Sequence, residues 1–136
     1  MIQQGLTTSF KQQMLLAQHN LETDQLYMAL YTAFATLGPD TTVYETANEA
    51  SGTGYTAGGI LLVNVSVDTS GNTAYVSFNN PIWTPASFTV RGGLIYNASK
   101  SNKSIAVLDF GSDKIATTTF TVTLPANTAT TALIRF

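Results

Sequence analysis

Apolar residues in this chain come in short runs with a period of two, and turn residues cut each run short. Leu61, Val63, Val65 and Val67 alternate with Leu62, Asn64, Ser66 and Asp68. After Ser70-Gly71-Asn72 the pattern resumes, with Ala74, Val76 and Phe78 turned inward and Tyr75 and Ser77 outward. Successive side chains of a strand point to opposite faces, so this alternation predicts a β-hairpin with one face on a core. The same punctuation recurs along the chain and predicts seven or eight strands at spacings of about 8–12 residues. Short strands so spaced make an all-β domain, an antiparallel β-sandwich or a jelly-roll-like barrel.

The other runs fill in this plan. Leu26, Met28 and Leu30 alternate with Tyr27, Ala29 and Tyr31, which predicts a strand buried on both faces within 24–35, ended by Gly38-Pro39-Asp40. Asn79-Asn80-Pro81 breaks the hairpin, and Trp83 reads as a plug at a sheet end. Phe88 to Tyr96 is a strand with Phe88, Val90, Gly92, Leu94 and Tyr96 on one side, and Gly92-Gly93 marks a bulge or a close backbone approach. Ser104 to Phe110 is expected as a strand closed by Gly111-Ser112-Asp113-Lys114, Phe120 to Leu124 as another, and Leu133 to Phe136 as a last, edge strand. Before all of these, Ser9 can cap a short helix over Phe10 to Asn20, with Ser9 and Gln12 at capping-box spacing and Phe10, Met14, Ala17 and Leu21 forming its apolar stripe. Met1 to Thr8 reads as loose. The organisation expected is therefore an N-terminal arm and short helix over 1–20, then a single β-sandwich domain over 21–136.

Composition limits what such a domain does. Only 14 residues carry formal charge, 32 are Ser or Thr, and the net charge is -2. Six basic residues spread over the chain cannot form the positive footprint that phosphates require, so no direct nucleic-acid partner is expected. A surface this poor in charge suits a chain that resides in an assembly, and a homo-oligomer is expected. With no Cys there are no disulfides and no thiolate metal sites. Met1 to Thr8 has no basic run followed by an apolar stretch, so no signal peptide is expected there, and no segment has the length of a membrane span.

Residues with chemical potential are few. His19, the single His, has no marked nucleophile to activate and reads as an exposed residue at the helix end. Glu45 and Glu49 would share one face of a helical turn over Val43 to Glu49, where a hydrolase could use the pair on a glycosidic bond; local capping or a subunit contact is the plainer reading. Asp40, Glu45, Glu49, Asp68, Asp109 and Asp113 offer oxygen ligands without any calcium-loop pattern. No catalytic residue, cofactor or metal site is expected. Four of the ten glycines fall between Gly52 and Gly59, in a long irregular stretch over 41–59. Its GxG lacks the residues of a phosphate loop. It reads instead as a shaped assembly or binding loop built on Glu49, Ser51, Gly52, Gly54, Tyr55, Gly58 and Gly59.

Four stretches carry a resemblance. They are Asn48-Glu49-Ala50-Ser51-Gly52-Thr53-Gly54-Tyr55-Thr56-Ala57-Gly58-Gly59, Leu26 to Thr32, Arg91-Gly92-Gly93-Leu94-Ile95-Tyr96-Asn97, and Ala106-Val107-Leu108-Asp109-Phe110-Gly111-Ser112-Asp113-Lys114. Together they resemble small structural proteins of tailed bacteriophages, over about Phe10 to Phe136. The resemblance implies a β-rich, multicopy virion component that is not an enzyme, with other virion proteins as partners, on the capsid, neck or tail. In that setting the stripe Phe10, Met14, Ala17 and Leu21, with the Gln-rich set Gln3, Gln4, Gln12 and Gln13, would anchor the chain to a shell or ring. The alternative is a carbohydrate- or receptor-binding sandwich that stacks its ligand on Trp83 and the tyrosines at 27, 31, 44, 55, 75 and 96.

Overall fold

The computed structural model describes residues 1–136. Its strands are β1 (Gly5–Leu6), β2 (Leu26–Tyr31), β3 (Ile60–Leu61), β4 (Ser66–Ser70), β5 (Thr73–Ser77), β6 (Ile82–Trp83), β7 (Phe88–Asn97), β8 (Lys103–Ala116), β9 (Phe120–Thr121) and β10 (Ile134–Arg135). One α-helix, α1 (Thr8–Leu15), lies between β1 and β2. Every strand pairing is antiparallel. A five-stranded sheet has the order β1-β8-β7-β2-β3, a three-stranded sheet β10-β5-β4, and β6 pairs with β9. The fold is all-β and sandwich-like, with a short N-terminal helix.

The large sheet is buried on both faces, which is why its central strands read as nearly continuous apolar runs. Leu26, Met28 and Leu30 of β2 enter the main core with Phe10, Val76, Phe78, Trp83, Phe88, Val90 and Ile134. Ala29 and Tyr31 enter a second cluster with Ile2, Leu37, Leu94, Tyr96 and Val107. Strand β2 is thus the doubly buried strand its alternation predicts. Trp83 is 4% exposed and packs against Phe120, a core plug as expected.

Two bulges decide which β7 and β8 residues reach which core. The register jumps from Val90↔Lys114 to Gly92↔Asp109, leaving Arg91 opposite the four residues 110–113. The glycine pair therefore does mark a bulge, and a Cβ on Gly92 would lie 2.5 Å from the Leu108 carbonyl. The bulge also moves the strand's inward side. Phe88 and Val90 face the main core, whereas Leu94 and Tyr96 face the second cluster, so the five residues at 88, 90, 92, 94 and 96 do not share one side. Gly111-Ser112-Asp113-Lys114 is not the end of a strand. Gly111 to Asp113 lie on the wide side of this bulge, Gly111 takes φ +81°, and β8 resumes its pairing at Lys114 and continues to Ala116. A second jump, between Ile95 and Tyr96, turns both Ile105 and Ala106 into the main core.

The hairpin forms with Ser70↔Thr73 as its last pair and positive φ at Gly71 alone of the two turn residues. Its first arm differs from the sequence pattern. Asn64 takes φ +56° and separates β3, which pairs with β2 in the large sheet, from β4 in the small one. Changing sheets breaks the alternation: Leu62 is buried, and Leu61, Val63 and Val67 are 39–50% exposed.

The N-terminal segment is not loose. Ile2 bridges to Leu37, and Gly5 and Leu6 pair with Val107 and Ala106. Helix α1 starts earlier than expected, because the side chain of Thr7, not Ser9, caps it at the Phe10 N–H, and it stops earlier, at Leu15, with Ala17 turning left-handed just beyond its end. Ser9 instead hydrogen-bonds the Thr41 carbonyl, so no capping box forms.

Candidate functional site: the glutamate and tyrosine loop

Val43 to Glu49 is not a helical turn. Val43 bridges to the start of β8 at Lys103 and Glu49 to the edge of β2 at Tyr31, and between them the chain turns at Thr46–Glu49, where Asn48 takes φ +60°. Pairing with the edge of β2 leaves Glu49 half-buried and Glu45 exposed. Glu45 lies with Asp40 and Asn48 along an open cleft of about 660 Å³. The two glutamates do not form a pair.

The Glu49 carboxylate is the hub of the loop. Oε1 accepts from the Tyr44 hydroxyl at 2.7 Å, and Oε2 accepts from the Tyr55 hydroxyl at 2.6 Å and the Gly58 N–H at 2.8 Å. Tyr55 in turn accepts from the Leu30 N–H at 2.9 Å, on the edge of β2 away from β7 and beyond its short pairing with β3. The Tyr96 hydroxyl donates to the Gly58 carbonyl at 2.6 Å, and the Tyr31 hydroxyl donates to the Glu45 carbonyl at 2.6 Å. The Tyr96 ring is stacked between Tyr44 and Tyr27, with centroids 4.6 and 5.9 Å away. Three donors on one carboxylate and four hydroxyls on backbone or carboxylate acceptors hold a long irregular segment without regular structure.

Burial, with the negative Glu49 beside them, raises the phenol pKa of Tyr31, Tyr44 and Tyr55 above its usual value. The same causes push Tyr96 up to about 12. These hydroxyls stay protonated and serve as donors, not as bases.

The glycines explain how closely the loop lies. A Cβ on Gly59 would sit 1.9 Å from the Met28 carbonyl oxygen and one on Gly54 would sit 1.7 Å from that of Pro85. A Cβ on Gly52 would sit 2.2 Å from the Ser87 carbonyl oxygen. Of the predicted loop set, Glu49, Tyr55, Gly58 and Gly59 form the inner side, and Ser51, Gly52 and Gly54 lie on an exposed, uncharged outer side.

The predicted anchoring stripe splits. Phe10 and Leu21 are in the main core, Met14 packs on it, and Ala17 is exposed. His19 is 8% exposed rather than at the surface: its ring lies edge-on to Phe10 and hydrogen-bonds Gln13 and Asn97. No group of three or more His, Asp or Glu side chains comes together as a metal site would require. No helix is long and apolar enough to cross a membrane.

Two things escape the sequence reading. Tyr44 and Tyr96 belong to the loop's framework although 52 positions separate them; the one local signal was the spacing of Tyr44, Glu49 and Tyr55. The contact of His19 with Asn97 joins positions 78 apart and leaves no local trace. No protein-family model matches the chain, and no curated protein or solved structure matches it.

Proposed function

We propose that this protein is a non-enzymatic structural component of a tailed-phage virion, present in many copies and docked on the capsid, neck or tail. The observation that carries the reading is the set of large apolar side chains left in water on a weakly charged surface. Leu15 is 90% exposed, Phe34 84%, Ile115 74%, Leu16 59%, Phe136 56% and Ile82 49%. They lie at separate places in the fold: the end of α1, the turn after β2, the far end of β8, strand β6 and the residue after β10. Such residues gain from burial against other chains, at about 25 cal/mol per Å² of apolar area removed from water. Contacts on several sides suit a subunit surrounded by neighbours.

The loop supports the same reading. Its inner hydrogen bonds fix a neutral outer face before any partner arrives, so little ordering entropy is lost on docking. The glycan-binding alternative is weaker, because the aromatic rings are engaged inside the protein. Trp83 is buried, the Tyr55 hydroxyl is bonded to Glu49, and Tyr27, Tyr44 and Tyr96 stack on one another.

Quantitative mass spectrometry of purified particles tests the proposal. Ten or more copies per particle, on the order of a ring or a lattice, are expected. Absence from the particle would overturn it.

A further inference from the structure

His19 lies on the connector between α1 and β2, and its hydrogen bonds dictate its protonation. Nδ1 is 3.0 Å from Asn97 Nδ2, and Nε2 is 2.8 Å from Gln13 Oε1. The Asn97 amide cannot be turned round without loss. Its Oδ1 accepts from the Ser99 N–H at 3.0 Å, and its Nδ2 also donates to Asp24 Oδ2 at 2.8 Å. One amide hydrogen thus serves Asp24 and the other points at His19. Nδ1 must be an acceptor, so the ring is neutral with its proton on Nε2. Adding a proton to Nδ1 sets donor against donor. Asn97 is fully buried, so water has no room to intervene. Relief requires the amide to flip, which breaks its bonds to Asp24 and Ser99, or the ring to leave.

We propose that His19 and Asn97 form an acid-sensitive latch, closed while the ring is neutral, which releases the 16–25 connector when the ring takes a proton. Besides the latch, the connector is held by Leu21 in the main core, by the Lys100–Asp24 ion pair at 3.1 Å and by Lys103 on Gln18 at 3.3 Å, and opening must loosen these as well. The connector leaves α1 through the left-handed Ala17 and carries the exposed Leu16. With Val67, Tyr75 and Phe136 it walls an apolar groove of about 490 Å³, which release would widen.

The charged and titratable surroundings set the direction. Burial disfavours the imidazolium, Asp24 on the same connector favours it, and Lys103 on β8 and Lys100 in the turn before it disfavour it. Glu22 and Tyr75 line the groove beside the ring. The net effect lowers the His19 pKa below its ordinary 6.5. A group depressed in this way binds its proton more readily in the opened chain. The closed form is therefore favoured above about pH 6.5 and loses that advantage as pH falls toward the folded value. Asp24 is not the trigger. Burial pushes its carboxyl up, but hydrogen bonds from Asn97, the Asn20 backbone and Lys100 outweigh this and hold it below 3.8, outside the window.

Because His19 is the only His, one imidazole spin system reports on the latch. The experiment is an NMR titration of the full chain combined with amide hydrogen exchange. Expected are an Nε2–H tautomer at neutral pH, a midpoint below 6.5, and loss of protection over residues 16–25 as the ring protonates while β7 and β8 stay protected. An Nδ1–H tautomer, a midpoint at or above 6.5, or an unchanged connector would overturn the proposal. His19→Gln, which can still accept from Asn97 but cannot titrate, should remove the acid response of the connector. The same response in that variant would also overturn it, and if the variant does not fold the wild-type titration decides alone.

Discussion

At the scale of single residues, Glu49 has the most consequence. Its carboxylate meets three donors, and a Gln there would turn an NH₂ group toward at least one of them. Leaving half-buried donors unpaired costs about 1–3 kcal/mol, so Glu49→Gln should lower stability by that much in urea unfolding. The tyrosines give a pH signature. Their folded pKa values lie above the unfolded value near 10, so their contribution is intact below about pH 10 and is lost as pH rises beyond it. Spectrophotometric titration should show part of the phenol absorbance withheld until the chain unfolds in alkali. Complete ionisation near pH 10 in the folded chain would mean that the hydroxyls are not held as described. None of this could be read from the sequence beyond the glycines, since a carboxylate's partners depend on where Tyr44, Tyr55 and Gly58 are brought by the fold.

At the scale of elements, periodicity was a sound guide where a strand stays in one sheet and failed where it changes sheets or bulges. The residues of β2 alternate between two cores without interruption, and the pattern predicted them correctly. The run from Leu61 to Val67 has as clean an alternation, yet Asn64 divides it between two sheets and leaves Val63 and Val67 in water. Composition cannot report that. Gly111 to Lys114 looks like a turn for the same local reason that a wide bulge does: both need positive φ. Glycines also separate loop from turn experimentally. Gly59→Ala forces a Cβ onto the Met28 carbonyl at φ +85° and should cost about 2–4 kcal/mol, detaching the loop from β2. Gly71→Asn, at φ +59° with nothing near, should cost under about 1 kcal/mol. Thermal unfolding of the two variants checks the contrast; equal losses would contradict the packed-loop description.

At the scale of the whole molecule, the N-terminal residues belong to the folded body. Strand β1 edges the large sheet, and Phe10 is completely buried in the main core. Phe10→Ala should cost about 3–5 kcal/mol, so deleting residues 1–20 would test folding before it tested attachment. Leu15→Asp with Leu16→Asp is the cleaner probe, because these side chains are 90% and 59% exposed and should change stability by less than about 1 kcal/mol in chemical denaturation. Fold class was legible because alternation and turn spacing are local, but the structure has ten strands where seven or eight are predicted, since two-residue strands such as β1, β6 and β9 carry too little pattern to be read. The surface that meets partners was not, since an exposed Leu and a buried one look alike in sequence.

Hydroxyl-radical footprinting of the free chain against the same chain in purified particles measures which of the exposed apolar side chains the particle covers. Leu15, Leu16, Phe34, Ile82, Ile115 and Phe136 report on separate faces in one experiment. Several of them are expected to lose reactivity in the particle. Equal reactivity at all six positions in both states would contradict the proposed docking.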